Sequence, residues 1–310
     1  MRIAIIGRSQ ILFNSMQSLA ENHEIVCVAT AREAPEYAVT SDGFLAWARE
    51  RDIPASEHPS QLGTFLSTVS ADIGVSVNYP RIIPQGIIGL FPFGILNAHG
   101  GDLPRYRGNA CQAWAILNGE SRIGLCVHRM IGGEVDAGDI LARSYLDLDD
   151  DTYVGDCLDW IERETPKLFL EAVSELGRDF DFILERQSPD PQDALRCFPR
   201  RPEDGRIDWN LPARDVQRLV RASGRPFAGA FGYLDGQTVR VWRAEVIEHH
   251  QPYVAVPGQV VFIRPGSVDV SCGEARDQTS SVALRISEFS IDDAQGPTTE
   301  TFRSIRQRMT

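Results

Sequence analysis

Apolar and polar positions fall along this chain in blocks that predict its elements. The opening RIAIIG (2–7) is a continuous apolar run of strand type. Ile11, Phe13, Met16 and Leu19 follow at helical spacing, and EIVCVAT (24–30) reads as a second strand. Strand, helix and strand at this spacing make a βαβ unit, which predicts a parallel sheet covered by helices. FLAWARERD (44–52) predicts a further helix, DIGVSV (72–77) a third strand and GILNAH (94–99) a fourth. A helix is expected at about 109–118, after Gly108. IGLCVHRM (123–130) and DILARSYLDL (139–148) predict a strand pair joined by the glycine-rich IGGEVDAG. Thr152 suits the N-cap of a long amphipathic helix carrying Val154, Leu158, Ile161, Leu168 and Val173. Pro166 is expected to kink or interrupt that helix.

The pattern changes near residue 187. QSPDPQDALRCFPRRPEDG (187–205) is rich in Pro, Asp and Arg, carries no apolar period and reads as a linker. RDVQRLVRASG then predicts a helix ending at Gly224. AGAFGYL, TVRVWRAEVIE, GQVVFIRPG, SVDVSC and VALRISEFSI are short strands separated by turn signals, as in a small β-barrel or sandwich. The expected division is therefore 1–186, a linker at 187–205, and 206–310.

Composition adds exclusions. The chain has 310 residues, 43% hydrophobic and 24% charged, which fits a soluble globular protein. No run of eighteen apolar residues occurs, and no cleavage site follows the N-terminal run, so a cytoplasmic location is expected without membrane association. The six cysteines are scattered, with no C-x-x-C pair, so no metal site and no disulfide framework is expected. The net charge is −12: Lys plus Arg against Asp plus Glu is 17 to 29 in residues 1–200 and 14 to 14 in 201–310. Neither part has the basic excess of a nucleic-acid grip.

Two segments carry candidate chemistry. Asn97 and His99 lie two apart on a strand and face one side, at the carboxyl end of a strand in an open α/β sheet. An amide beside an imidazole can hold a carbonyl oxygen and move a proton. The same pair also suits a strand-to-loop turn without chemistry. In IGGEVDAGDIL (131–141), glycines bracket Glu134, Asp136 and Asp139. That loop reads either as a mobile carrier of carboxylates or as an acidic hairpin tip.

In order, Asn97-Ala98-His99, then Leu103-Pro104-Arg105-Tyr106-Arg107-Gly108, then Val135-Asp136-Ala137-Gly138-Asp139-Ile140 resemble the 10-formyltetrahydrofolate-dependent formyltransferase family. The resemblance implies a Rossmann-like catalytic domain followed by a small OB-like β-barrel. It implies catalytic roles for Asn97, His99 and Asp136, with N10-formyltetrahydrofolate as co-substrate and no metal. NYPRIIPQGII (78–88) is similar to the family's pterin loop, which implies donor contacts at Ile82, Ile83 and Pro84, with Val135 and Asp139 beside them.

Residues 198–244 resemble two branches, methionyl-tRNA formyltransferase and the nucleotide-sugar N-formyltransferases. The tRNA branch usually carries a basic insertion after the second strand, whereas residues 30–52 here are short and mixed in charge. GDLPRYRG and QAWAILNG are similar to the sugar branch, which serves surface polysaccharide synthesis. That implies acceptor contacts at Gly101, Asp102, Arg105, Tyr106, Arg107 and Trp114. The expected acceptor is a nucleotide-linked amino sugar, with methionyl-tRNA or another amine such as hydroxyornithine as alternatives. The neutral C-terminal part favours packing or homodimer contacts over RNA. Hydrolysis of formyl-folate, a binding module and a nicotinamide dehydrogenase are weaker rivals; the first turn, GRSQILF, lacks G-x-G-x-x-G.

Overall fold

Buried parallel strands read as near-continuous apolar runs because both faces are covered. The computed structural model, which describes residues 1–34, 38–275, 279–292 and 301–310, places strands β1 (Arg2–Gly7) and β2 (Glu24–Ala29) on such runs. Ile3, Ile5 and Ile6 are fully buried. The chain divides into two compact units: Met1–Cys111 with Arg122–Asp147 and Leu158–Phe198, and Gln112–Ser121 with Leu148–Cys157 and Pro199–Thr310.

In the first unit the remaining sheet strands are β3 (Ala55–Ser56), β4 (Ile73–Val77), β5 (Ile95–His99), β7 (Arg122–Arg129) and β8 (Ile140–Asp147). Two-residue strands β6 (Arg107–Gly108) and β9 (Arg196–Cys197) pair separately. The sheet order is β3-β2-β1-β4-β5-β7-β8. Pairing is parallel from β3 to β5 and antiparallel at β5–β7 and β7–β8. Helices α1 (Gln10–Ala20), α2 (Ser41–Arg49), α3 (Leu62–Leu66) and α4 (Gln85–Ile88) connect the strands. Residues 35–37, inside the short segment after β2, lie outside the described residues.

Three local expectations are corrected or extended. The helix α5 (Cys111–Leu117) is followed by α6 (Val154–Arg178), which continues through Pro166 without interruption. Leu168, Phe169, Ala172 and Val173 on its buried stripe outweigh the backbone bond that proline removes. Thr152 is not the N-cap residue of α6: its hydroxyl donates to Asp149 Oδ1 at 2.5 Å, and the Tyr153 N–H donates to Asp156 Oδ2 at 2.7 Å. The 187–205 stretch is not bare chain, because β9 pairs with β6 and residues up to Phe198 group with the first unit.

In the second unit α7 (Ala213–Ser223) packs Val216 and Val220 onto an antiparallel sheet. Its strands are β10 (Ala230–Leu234), β11 (Gln237–Tyr253), β12 (Val260–Arg264), β13 (Ser267–Val270) and β14 (Ser280–Ile291), in the order β10-β11-β14-β13-β12. The last residues close this sheet into a small barrel. Thr310 exchanges backbone hydrogen bonds with Tyr233 on β10, while the Met309 N–H donates to Gly258 O at 2.7 Å beside β12. Part of each sheet edge is thereby paired. No helix among the described residues is long and apolar enough to cross a membrane.

Met309 is 1% exposed and belongs to the barrel core. Met309→Ala is expected to cost about 2–5 kcal/mol, measured by urea unfolding. A loss under about 0.5 kcal/mol, the range of a surface change, would contradict closure by this segment.

Candidate active site

Four short pieces of the first unit converge on one carboxylate. Strand β5 carries Asn97 and His99 to the end of the sheet, and the antiparallel β7 sets His128 directly opposite Asn97. The turn after β5 folds back, so that the Tyr106 carbonyl lies 2.6 Å from His99 Nε2 and accepts the Cys111 thiol at 2.9 Å. A Cβ at position 101 would stand 2.2 Å from the Tyr106 oxygen and 2.5 Å from His99 Nε2. Glycine is thus required at 101 by space.

Asp136 arrives on the loop between β7 and β8, with φ 52°, in the left-handed region. Its Oδ2 lies 3.4 Å from His99 Nδ1 and accepts the Gly108 N–H at 2.9 Å. Its Oδ1 lies 3.4 Å from His128 Nε2 and 3.5 Å from Asn97 Nδ2. The His99, His128 and Asp136 side chains are 8%, 2% and 12% exposed. Burial pushes the Asp136 pKa up, but the His99 charge, the His128 hydrogen bond and charge, and the Gly108 N–H more than reverse it. The carboxyl is held well below its usual range. Asp136 therefore stays ionised and fixes the His99 ring, whose two nitrogens face a carboxylate and a carbonyl. Among the described residues no group of three His, Cys, Asp or Glu could hold a metal ion.

The other expected residues are placed unevenly. Ile83 is 1% exposed and faces the core, whereas Ile82 is 65% exposed and Pro84 precedes α4 on the surface. The Gln85 side chain accepts the Gly132 N–H at 3.0 Å, tying this loop to the one that carries Val135 and Asp136. Val135 and Asp139 are half-buried, and the Asp139 carbonyl accepts the Arg129 N–H. The Asp102 carboxylate, 27% exposed, is paired with the buried Arg143 at 2.5 Å and with Arg122 at 3.7 Å. Arg105 is exposed over the Tyr106 ring, and Arg107 donates to Gln187. Trp114 belongs to the second unit, where the Arg200 guanidinium lies over its ring. Sequence reasoning missed His128, although its register opposite Asn97 follows once β5 and β7 pair, and Gln187, hidden in the Pro-rich stretch.

Comparison with known proteins follows the same division. Residues 1–173 match the family described as Formyl transferase, and residues 200–296 match Formyl transferase, C-terminal domain. Methionyl-tRNA formyltransferase of Agathobacter rectalis is 28% identical over 293 residues, covering 92% of each chain. Among solved structures, WlaRD, a sugar 3N-formyl transferase crystallised with dTDP and 5-N-formyl-THF, superposes with a TM-score of 0.68 at 14% identity, covering 95% of this chain and 99% of that one. HypX from Aquifex aeolicus, in complex with tetrahydrofolic acid, gives 0.62 at 20% identity; the match covers 94% of this chain but only 44% of HypX.

Asp136 has a lowered folded-state pKa, so its ionised form stabilises the fold above the unfolded carboxyl pKa. That contribution is lost as pH falls through the folded value. The stability gap between wild type and Asp136→Asn should accordingly narrow as pH falls below about 4, the unfolded range for Asp. Urea melts from pH 3 to pH 7 (roughly spanning that range) measure it; a gap that widens toward acid contradicts the assigned charge state.

Proposed function

The chain belongs to the formyl transferase family, and from that premise we propose that it moves a formyl group from N10-formyltetrahydrofolate to the amine of a nucleotide-linked amino sugar. The observation that carries the transfer chemistry is the convergence of Asn97, His99 and the ionised Asp136 at the carboxyl end of β5. The neutral amine attacks the formyl carbon, forming a C–N bond and an oxyanion. The Asn97 amide and the His99 ring stabilise that charge. Once its Nε2 exchanges the Tyr106 carbonyl for the reacting centre, His99, oriented by Asp136, relays the amine proton to N10 as the C–N10 bond breaks. Exposed Ile82 and Ile131, on loops joined through Gln85, offer an apolar rim for the flat pterin ring, with Ile83 and Pro84 backbone, Val135 and Asp139 alongside.

Charge supports the choice of acceptor. Segment 30–40, TAREAPEYAVT, holds one Arg and two Glu. Gripping RNA phosphates needs clustered cations. The 28% likeness to methionyl-tRNA formyltransferases over nearly the whole chain favours a second reading, in which initiator tRNA is the acceptor.

Two measurements separate these readings. In a thermal-shift screen with a non-reactive folate analogue, a TDP-, UDP- or GDP-linked amino sugar should raise the melting temperature. In filter binding at low salt, initiator tRNA should bind weakly; tight, salt-sensitive retention would reverse the preference. Asp136→Asn should fold and lose turnover by roughly 10³-fold or more, by analogy with carboxylates that orient a catalytic imidazole. Wild-type turnover in that variant sinks the assigned role.

A further inference from the structure

The Arg107-Gly108 pair of the L-P-R-Y-R-G stretch is turned toward Asp136. We propose that Arg107 and Gln187 are positioning residues that clamp the backbone of Asp136, so that the transfer site is completed by a segment outside the expected catalytic domain. The proposal rests on the transfer reading above for its kinetic arm only.

One side-chain amide is fully used at this point. Gln187 Nε2 donates to Asp136 O at 2.9 Å and to Gly138 O at 2.7 Å, while Gln187 Oε1 accepts from Arg107 at 2.7 Å. The orientation of that amide is fixed by chemistry. A guanidinium has only donors and a backbone carbonyl only accepts, so the oxygen must face Arg107 and the nitrogen must face the loop. Arg107 therefore acts on the loop through Gln187.

The clamp answers a need. Asp136 is a non-glycine residue in the left-handed region, which persists only where surroundings hold it. Gln187 ties the carbonyls on both sides of Ala137, and Gly138 closes the loop tightly, since a Cβ there would stand 1.8 Å from Arg129 O. β6 then grips the side chain of the same residue, because the Gly108 N–H donates to Asp136 Oδ2. β6 is itself held by β9: the Arg107 N–H donates to Leu195 O at 2.9 Å and the Asn109 N–H to Cys197 O at 3.1 Å. Arg107 holds the backbone of Asp136 and Gly108 holds its carboxylate, from adjacent positions on one two-residue strand.

The test compares Gln187→Leu, Arg107→Ala, Arg107→Lys and the Arg107→Ala/Gln187→Leu double variant in the full chain. Two readouts need no substrate: the Gly108 amide-proton shift, which reports its bond to the carboxylate, and the imidazole nitrogen shifts of His99 and His128. The third is steady-state formyl transfer from N10-formyltetrahydrofolate to the amino-sugar nucleotide selected by the thermal-shift screen. Gln187→Leu should move the Gly108 and His99 signals and lower kcat by roughly 10- to 100-fold, with KM changed less than about twofold. Arg107→Ala should do the same more weakly, and Arg107→Lys should recover part of the loss. The double variant should be no worse than Gln187→Leu, because the two residues act in series. Losses that add, or an Arg107→Ala defect confined to KM, would make Arg107 a substrate contact and overturn the clamp. Unmoved Gly108 and His99 signals in Gln187→Leu would also overturn it. Should that variant fail to fold, the half-buried Arg107→Ala carries the same spectra. Absence of transfer by wild type would count against the functional reading and leave the spectra to decide the clamp.

Discussion

A carboxylate taken out of water must be paired, and Asp136 is paired on every side. Burying an unpaired ion is so costly that the group would take up a proton instead. Two imidazoles, a backbone N–H and an amide surround this one, and the net result is a carboxyl held far below its usual pKa. Those four partners come from separate stretches of chain, on β5, β6 and β7. The parallel strands put β5 at the correct depth, the antiparallel pairing brings His128 opposite Asn97, and the return turn supplies Tyr106 and Gly108. The fold of the first unit is, at this point, a means of gathering hydrogen-bond donors around one anion.

The same constraint accounts for which residues have no side-chain freedom. Gly101 lies against the His99 ring and the Tyr106 carbonyl, so any side chain there would displace both. The buried Arg143 is balanced by Asp102 and Glu185, which anchors the turn after β5 to strand β8. Neither residue need meet a ligand to matter. Loss of either would move the loop on which the His99–Asp136 geometry depends.

How much of this could be read from the chain depends on the physical signal each feature leaves. Apolar runs such as RIAIIG and DIGVSV mark strands covered on both faces, and α7 and the five barrel strands follow from period and turn residues. Asn97, His99 and Asp136 stood out through order and spacing. His128 did not, because it sits inside an apolar strand and its partner is set by pairing that no local pattern records. Gln187 lay in a polar, Pro-rich stretch where absence of period reads as a linker, yet its amide is bonded to Arg107, Asp136 and Gly138. Pro166 was expected to interrupt α6, but tertiary burial of one helix stripe prevails over a single missing bond. The closing segment at 307–310 has no strand-like run at all; it pairs through its backbone.

Much of the polar capacity of the turn after β5 is committed to holding Asp136 and His99. In the stretch from Gly101 to Gly108, Gly101 is confined by space, Asp102 is paired with Arg143, the Tyr106 carbonyl faces His99, Arg107 is bonded to Gln187, and the Gly108 N–H belongs to Asp136. Arg105 is the exposed cation of that stretch, stacked over the Tyr106 ring. The density of internal bonding around Asp136 thus fixes the neighbouring polar groups as well as the carboxylate itself.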